Sequence, residues 1–593
     1  MEKTLKKEEV GIELKRHSLS HLLAYAVKEL YPDAKLAIGP AIDNGFYYDI
    51  DFGETKISEA ELKEIERKMV HLAKQNLKFE RSEMAIDKAI KAEETAGEIY
   101  KAELLRDLKA QGETEVSYYT LGKYVDLCRG PHITNTNQIK PGSYKLDKLA
   151  GAYWRGNEKN KMLTRIYGLA FETKAELDDY LKMLLEAEKR DHRKLGKELN
   201  LFIFSDLVGK GLPLWTEKGS VIRRELERFI VDEEIKRGYR HVYTPDIARL
   251  ELYKISGHYP YYKESMYAPI KIDEDEFMLR PMTCPHHFEL YKSQKHSYRQ
   301  LPVRIAELAK LYRYEQSGEL SGLIRVRGFC LADAHIIARL DQAEEEISQA
   351  LDLIEYATKV LGFEPNKDYR YRLSLGDRGA ETKYFKDDAA WDKAEETLRS
   401  VLKGRKVESF EAVGEAAFYG PKIDIQMKNV FGKEETAFTV QYDFVMPKRF
   451  KLEYTNQNGQ EDEPIVIHRS SIGAIERIIA FIIEKYAGAL PVWLSPVQVQ
   501  LIAVGESHVA YCQKIAAELQ RSGVRVEIDD TDSTVGNKIR KAVSEKVPYM
   551  LVIGDKEINS DILAVRDRGA LETREVNKTD FIAEVLGQIK NYR

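Results

Sequence analysis

Three short runs in the middle of the chain each offer one soft metal ligand: Cys284 in MTCPHHFELY (282–291), His335 in DAHII (333–337) and His468 in VIHRSSIGAIER (466–477). Together they could hold one zinc ion with three protein ligands and leave a coordination position open. That is the arrangement of a working zinc, whereas four ligands mark a structural one. The three lie far apart in sequence, so a buried thiol with two surface histidines is a competing reading. A second set lies near the N-terminus. His17 and His21 in HSLSH are four apart, on one face of a helix, and Cys128 and His132 in CRGPH repeat the spacing. Two histidines on a core-facing helix can also simply close hydrogen bonds, so this set has two readings as well.

RYE (313–315) and RVRGF (325–329) suggest phosphate chemistry. Arginines on paired strands can clamp phosphates through bidentate hydrogen bonds, and a phenylalanine beside them can stack on a planar base. The alternative is a solvated strand face. Arg477 sits in an apolar helical run, where a charge is expensive without a partner. It calls for an anionic ligand or a buried carboxylate.

The elements that must position these residues are legible in outline. The 593 residues exceed what a single core can organise, so several domains are expected. Hydrophobic content of 43% and charged content of 32% fit a soluble globular protein, and a net charge of −5 excludes a bulk cationic nucleic-acid binder but not local basic surfaces. Four cysteines (Cys128, Cys284, Cys330 and Cys512) are too few for a disulfide framework and suit a reducing compartment. The first residues, MEKTLKKEEVGIELKRH, lack an apolar signal region, and no run approaches the roughly 18 apolar residues of a membrane span. A cytoplasmic protein without membrane attachment is expected.

Residues 17–31 read as an amphipathic helix with Leu19, Leu22, Leu23, Ala26 and Leu30 on one stripe. GFYYDIDF (45–52) is strand-like, and SYYTLGKYVDLC (117–128) reads as strand, turn, strand. Thr173 and Glu176 form a capping-box signature opening a helix over 173–198 that serves as a linker. The largest block, 199–492, contains a long antiparallel hairpin from 304–316 and 324–337, and an apolar helix over 470–488. LPVWLSPVQ carries two prolines and marks the next boundary. Residues 493–593 alternate strand and helix as a small α/β domain with a partly parallel sheet. The expected class is α+β multidomain.

Over essentially its whole length the chain resembles the threonyl-tRNA synthetases, a family of class II aminoacyl-tRNA synthetases. WTEKGSVIRRELERFI with GYRHVYTPDI resembles motif 1, RYEQSGELSGLIRVRGF motif 2 and IVIHRSSIGAIERIIAFIIE motif 3. MTCP, ADAH and the VIHR histidine add the threonine-specific pattern. The resemblance implies ATP-dependent ligation of L-threonine to tRNA(Thr) through threonyl-adenylate, with Mg²⁺ accompanying ATP. It assigns Cys284, His335 and His468 to a zinc that takes the amine and hydroxyl of threonine. Asp333 would accept the hydroxyl's hydrogen bond and Tyr419 would hold the amino group. Arg313 would contact the α-phosphate, Glu315 the adenine amine and Phe329 the base. Arg325 and Arg477 would hold the γ-phosphate, and Gln441, Lys422 and His258 would line the same pocket, with His258 serving transfer. Three departures stand out: Leu331 where the family commonly has glutamine, His286 in place of glycine, and TAF (436–438) before TVQ.

The same resemblance makes residues 1–172 an editing domain that hydrolyses seryl-tRNA(Thr), with His17, His21, Lys101, Asp126, Cys128 and His132 in its site and no metal. It makes 199–492 the catalytic domain and 493–593 an anticodon-binding domain, where Glu557 and Arg566 match base-reading positions. KIRKAVSEK (538–546) offers phosphate contacts or a solvated helix face. A homodimer through motif 1 is implied, and the family's small extra N-terminal domain is not expected. A free-standing hydrolase of mischarged tRNA, or a non-catalytic RNA-binding regulator, would have no use for the zinc trio and the motif arginines together.

Overall fold

The computed structural model describes residues 7–380 and 383–593. The chain divides into two compact units, residues 1–185 and 186–593.

The first unit is built around the helix Lys7–Leu30. Leu19, Leu22, Leu23 and Ala26 on its stripe are fully buried beside Phe46, Tyr48 and Ile166. These last three come from a mainly antiparallel sheet in which Lys35–Leu36, Gly45–Asp51, Met162–Ala170 and Tyr144–Tyr153 lie side by side. A separate sheet is formed by Phe79–Ala85, Glu115–Leu121 and Tyr124–Leu127. The strand-turn-strand expected over 117–128 is therefore present. It carries Asp126 in its second strand, two residues before Cys128.

The linker expected as one helix over 173–198 is two, Lys174–Arg190 and His192–Glu198. Asp191 breaks it: its side chain accepts the Arg193 N–H and caps the second helix, a competition with backbone pairing typical of aspartate. The box at the start is also half formed. Thr173 accepts the Glu176 N–H, but the Glu176 carboxylate takes the Glu172 N–H, one residue earlier than a capping box requires.

The core of the second unit is an eight-stranded sheet in the order Arg240–His241, Val303–Tyr312, Gly328–Ala338, Ile465–Ala474, Glu434–Asp443, Lys422–Lys428, Tyr369–Leu375 and Ser409–Val413. The inner pairings are antiparallel and the two outermost parallel. Helices Glu217–Lys236, Ala343–Val360, Asp388–Lys403 and Ile475–Lys485 pack their apolar residues against it in one continuous core. The expected hairpin forms with Val303 opposite Ile337 and Tyr312 opposite Gly328.

Two expectations need correction here. Arg313 and Arg325 do not lie on the paired strands; the strands end at Tyr312 and resume at Gly328, and both arginines belong to the loop between them. The helix expected over 470–488 starts at Ile475, because residues 470–474 complete a central strand whose Ser470 pairs with Asp333. Pairing on both edges overrides helical periodicity there.

The C-terminal sheet runs Val526–Asp529, Val499–Ala503, Tyr549–Ile553, Ile562–Asp567, Arg574–Asn577. The first three are parallel and the last two antiparallel. The final strand went unread in the sequence. Among the described residues no helix is long and apolar enough to cross a membrane.

Candidate active site

The register of the large sheet explains how distant residues meet. His335 lies opposite His468, His468 opposite Gln441, and Gln441 opposite Lys422. Directly paired residues project to the same face, so these four side chains form one row across four neighbouring strands. Cys284 reaches the end of the row from the first residue of the helix Cys284–Lys292. The ligand atoms of Cys284, His335 and His468 lie within 4.8 Å of one another, and all three residues are buried.

The hydrogen bonds around the two histidines fix which nitrogens are free. Asp443, held by the N–H groups of Val445 and Met446, accepts from His468 Nε2 at 2.7 Å. Glu307 accepts from His287 Nε2 at 3.2 Å, which leaves His287 Nδ1 to accept from His335 Nδ1 at 2.8 Å. Glu307 stays ionised: burial works against it, but His287, Thr244 and Arg280 hold its carboxyl down at about 2. One lone pair therefore remains on each metal-facing ring, His468 Nδ1 and His335 Nε2, and a carboxylate stands behind each ring, directly or through His287. Metal-binding histidines are characteristically supported in this way. Burial, with the carboxylates of Asp333 and Asp443, pushes the Cys284 thiol well up, so a thiolate forms there only against a bound cation. The donor set fits a zinc ion with an open position. His287, Glu307 and Asp443 were not singled out from sequence, although His287 and Asp443 lie inside the runs MTCPHHF and TVQYDF.

This row opens into a cavity of about 680 Å³. His258, Arg313, Glu315, Arg325, Phe329, Asp333, Tyr419 and Arg477 also line it. Tyr419 donates its hydroxyl to Gln441. Arg313 stands 5.3 Å from the Phe329 ring centre. Arg477 has no bonded carboxylate among the described residues: it donates to the backbone oxygens of Ile324 (2.9 Å) and Thr436. Burial lowers its pKa, with Glu435 opposing and Arg313 and Arg325 reinforcing that shift. The nearby carboxylates of Glu435 and Glu315 act on Arg477 through space without a hydrogen bond to it. His258 is buried, and burial, with the charges of His468, Arg313 and Arg449, pushes it down to about 3. Its Nδ1 bonds Ser256 Oγ at 2.8 Å, and that hydroxyl itself donates to the Tyr253 carbonyl, so Nε2 is left as a free acceptor.

Of the departures, Leu331 lines the cavity and makes it apolar at that point. His286 is buried away from it, near the Tyr253 ring, and burial lowers it to about 4. Phe438 is core, whereas the Thr436 carbonyl is one of Arg477's acceptors.

The first unit assembles its own cluster. The ligand atoms of His17, His21, Cys128 and His132 lie within 4.8 Å of one another. Cys128 Sγ is 3.4 Å from His17 Nε2 and 3.3 Å from His132 Nε2. Asp126, almost wholly buried, pairs with Lys101 and with His21 Nδ1 at 2.9 Å, and accepts the hydroxyls of Tyr48 and Tyr124. Burial alone would discharge these groups. Asp126 instead raises His21 to about 9, and hydrogen bonds from the three histidines lower Cys128 to about 4. Burial leaves His132 at about 4, hence neutral. Tyr48 and Tyr124 were missed in the sequence, where they read only as strand residues. In the C-terminal domain, Glu557 accepts the Gly554 N–H and Arg566 donates to the Ala570 carbonyl, on adjoining elements. Lys538 of KIRKAVSEK turns inward to the carbonyls of Ala503 and Asp529, leaving Arg540 and Lys541 exposed.

The chain matches the family described as tRNA synthetase class II core domain (G, H, P, S and T) over residues 265–486. It also matches the anticodon binding domain over 498–588 and the threonyl and alanyl tRNA synthetase second additional domain over 116–167. It is 48% identical to a threonine–tRNA ligase of Geobacillus sp. over 98% of this chain and 89% of that protein. The chain belongs to the threonine–tRNA ligase family. A threonine–tRNA ligase of Listeria monocytogenes is likewise 48% identical, over 97% of this chain and 89% of the relative. A crystal structure of the RNA binding domain of threonyl-tRNA synthetase from Cryptosporidium parvum superposes with a TM-score of 0.63 at 36% identity, over 67% of this chain and 98% of that one.

Proposed function

We propose that the central cavity activates L-threonine with ATP and passes it to tRNA(Thr), and that the N-terminal unit hydrolyses seryl-tRNA(Thr). The observation that carries the synthetic half is the row of His335, His468, Gln441 and Lys422, with Cys284 at its end, opening into the cavity that holds Arg313, Arg325 and Arg477. A zinc ion held by Cys284, His335 and His468 would supply Lewis-acid recognition of the threonine amine and hydroxyl. Asp333 accepts the hydroxyl's hydrogen bond, while Tyr419, fixed by Gln441, orients the amino group. Phe329 and Glu315 bind adenine. Arg313 meets the α-phosphate, and Arg325 and Arg477 the γ-phosphate, with Mg²⁺ accompanying ATP. The threonine carboxylate attacks the α-phosphorus, the bond to the bridging oxygen breaks, and pyrophosphate leaves; positioning and charge neutralisation dominate such a step. The terminal ribose hydroxyl of tRNA then attacks the activated carbonyl and AMP departs. His258, with Nε2 free, is placed to accept a hydrogen bond from that hydroxyl and serve the transfer step.

A hydroxyl-reading site rejects valine well but distinguishes serine by only a methyl group, worth about 1–3 kcal/mol. A second, hydrolytic site is the physical remedy. There, the charges of Lys101, Asp126, His21 and Cys128 are mutually compensated, and His17 with the neutral His132 can place a water on the ester. His21 Nδ1 is committed to Asp126 and Cys128 is bonded by His17 and His132, which supports an editing site working through hydrogen bonds. Glu557 and Arg566 read anticodon bases. Exposed Leu207, Val208, Tyr243 and Ile247 around motif 1 support a homodimer through that region. A ligase of protein synthesis with four sparse cysteines supports a cytoplasmic protein.

Threonine-dependent ATP–pyrophosphate exchange, repeated after chelation, tests this reading. Exchange that disappears with the metal and returns with zinc is expected; no exchange from the intact protein would overturn it.

A further inference from the structure

His192 opens the second linker helix and is buried. Its Nε2 lies 3.1 Å from the Leu323 backbone N–H and its Nδ1 2.7 Å from Glu484 Oε1. A backbone N–H only donates, so Nε2 is the acceptor and the ring proton sits on Nδ1, donated to Glu484. The other Glu484 oxygen accepts the Val430 N–H at 3.1 Å. Asp191, His192 and Glu484 have the residue types of a metal site, but both ring nitrogens are already committed to hydrogen bonds.

The loop presses directly on this ring. Gly322 has φ +50, and a Cβ there would stand 2.2 Å from His192 Nε2. One residue beyond Leu323, the Ile324 carbonyl accepts from Arg477 Nε, and Arg325 follows, its N–H turned back to Ser321. Leu323 is fully buried, so without His192 its N–H would find no water.

We propose that His192 is a positioning residue for the triphosphate end of the cavity. It fixes the turn 321–325, and through the Ile324 carbonyl it aims Arg477 and sets the base from which Arg325 reaches. This rests on the assignment of those arginines to ATP. The linker stretch thus carries a functional contact as well as joining two parts of the chain.

Two substitutions separate the ring's two bonds. His192→Asn retains a donor near Glu484 and loses the acceptor for Leu323; His192→Gln places an amide oxygen near the Nε2 position. In pyrophosphate exchange, His192→Asn is expected to raise KM for ATP about tenfold, the scale of one hydrogen bond, with KM for threonine unchanged and with His192→Gln restoring most of the loss. Gly322→Ala displaces the same contact from the loop side and is expected to raise KM for ATP with His192 intact, which keeps the proposal testable if His192→Asn does not fold. Equal effects of the Asn and Gln variants, or an unchanged KM for ATP in His192→Asn or Gly322→Ala, would overturn it. Arg477→Ala serves as the reference: if it raises KM for ATP while the His192 variants do not, only the His192 role fails. If Arg477→Ala also leaves ATP binding intact, the assignment of the ATP site itself fails.

Discussion

The two histidine–cysteine clusters of this protein use the same side chains under opposite electrostatics. Around Cys284, His335 and His468, burial drives the groups toward neutrality: the thiol is pushed up and His335 down. Carboxylates stand behind the rings and not among the ligand atoms. Around Cys128, the charge is already present. Asp126 sits between Lys101 and His21, and His21 in turn bonds the thiol. On the proposed reading the first cluster would take a cation, whereas the second closes on itself through hydrogen bonds. Residue types alone did not distinguish them; what surrounds them did.

The largest test of this contrast is a crossed pair of variants. His468→Ala should reduce threonine-dependent pyrophosphate exchange about 10³-fold or more, as loss of a metal ligand and its charge stabilisation requires. Deacylation of seryl-tRNA by the same variant should be unchanged. His17→Ala with His21→Ala should invert the result: threonine charging intact, seryl-tRNA deacylation slower by about 10²–10⁴-fold. Loss of both activities in either variant would mean that the clusters are not independent.

A smaller effect is expected one layer out. Asp443→Asn or His287→Ala should weaken zinc binding about 10–100-fold, measured by competition with a chromophoric chelator. An unchanged affinity would leave those residues a packing role only.

The smallest effect concerns pH and the second cluster. His21 has a folded-state value of about 9, above its unfolded 6.5, so its contribution to stability is complete below about 6.5 and is lost as pH rises through 9. Cys128 is depressed from 9 to about 4, so its contribution is complete above 9 and is lost as pH falls through 4. The thiolate–imidazolium pair therefore persists between about pH 4 and 9. Enzyme-catalysed deacylation, corrected for spontaneous ester loss, should be nearly flat from pH 6 to 8 and decline above 9. At pH 6, iodoacetamide should modify Cys128 well before the buried Cys284, read by mass spectrometry. Equal rates would sink the electrostatic contrast.

How much of this was legible beforehand differs from element to element. The leucine stripe of the first helix, the 304–337 hairpin and the alternating C-terminal strands follow from periodicity and turn residues, because burial of one face imposes a period on the sequence. The linker break at Asp191 and the late start of the Ile475 helix did not follow, since a capping bond and strand pairing each outweighed a helical pattern. The motif arginines were recognised but misplaced onto strands, because nothing local separates a strand end from the loop after it.

The sequence by itself determined the residue types of the two clusters, the family and the broad order of the matched regions. Only the tertiary structure decided that His335, His468, Gln441 and Lys422 share one row, since strand register is set by pairing across the sheet and not by distance along the chain. It also decided which ring nitrogens are free, and that His192 closes on Leu323. Those outcomes depend on carboxylates and backbone groups tens to hundreds of residues away, brought close only when the core is buried.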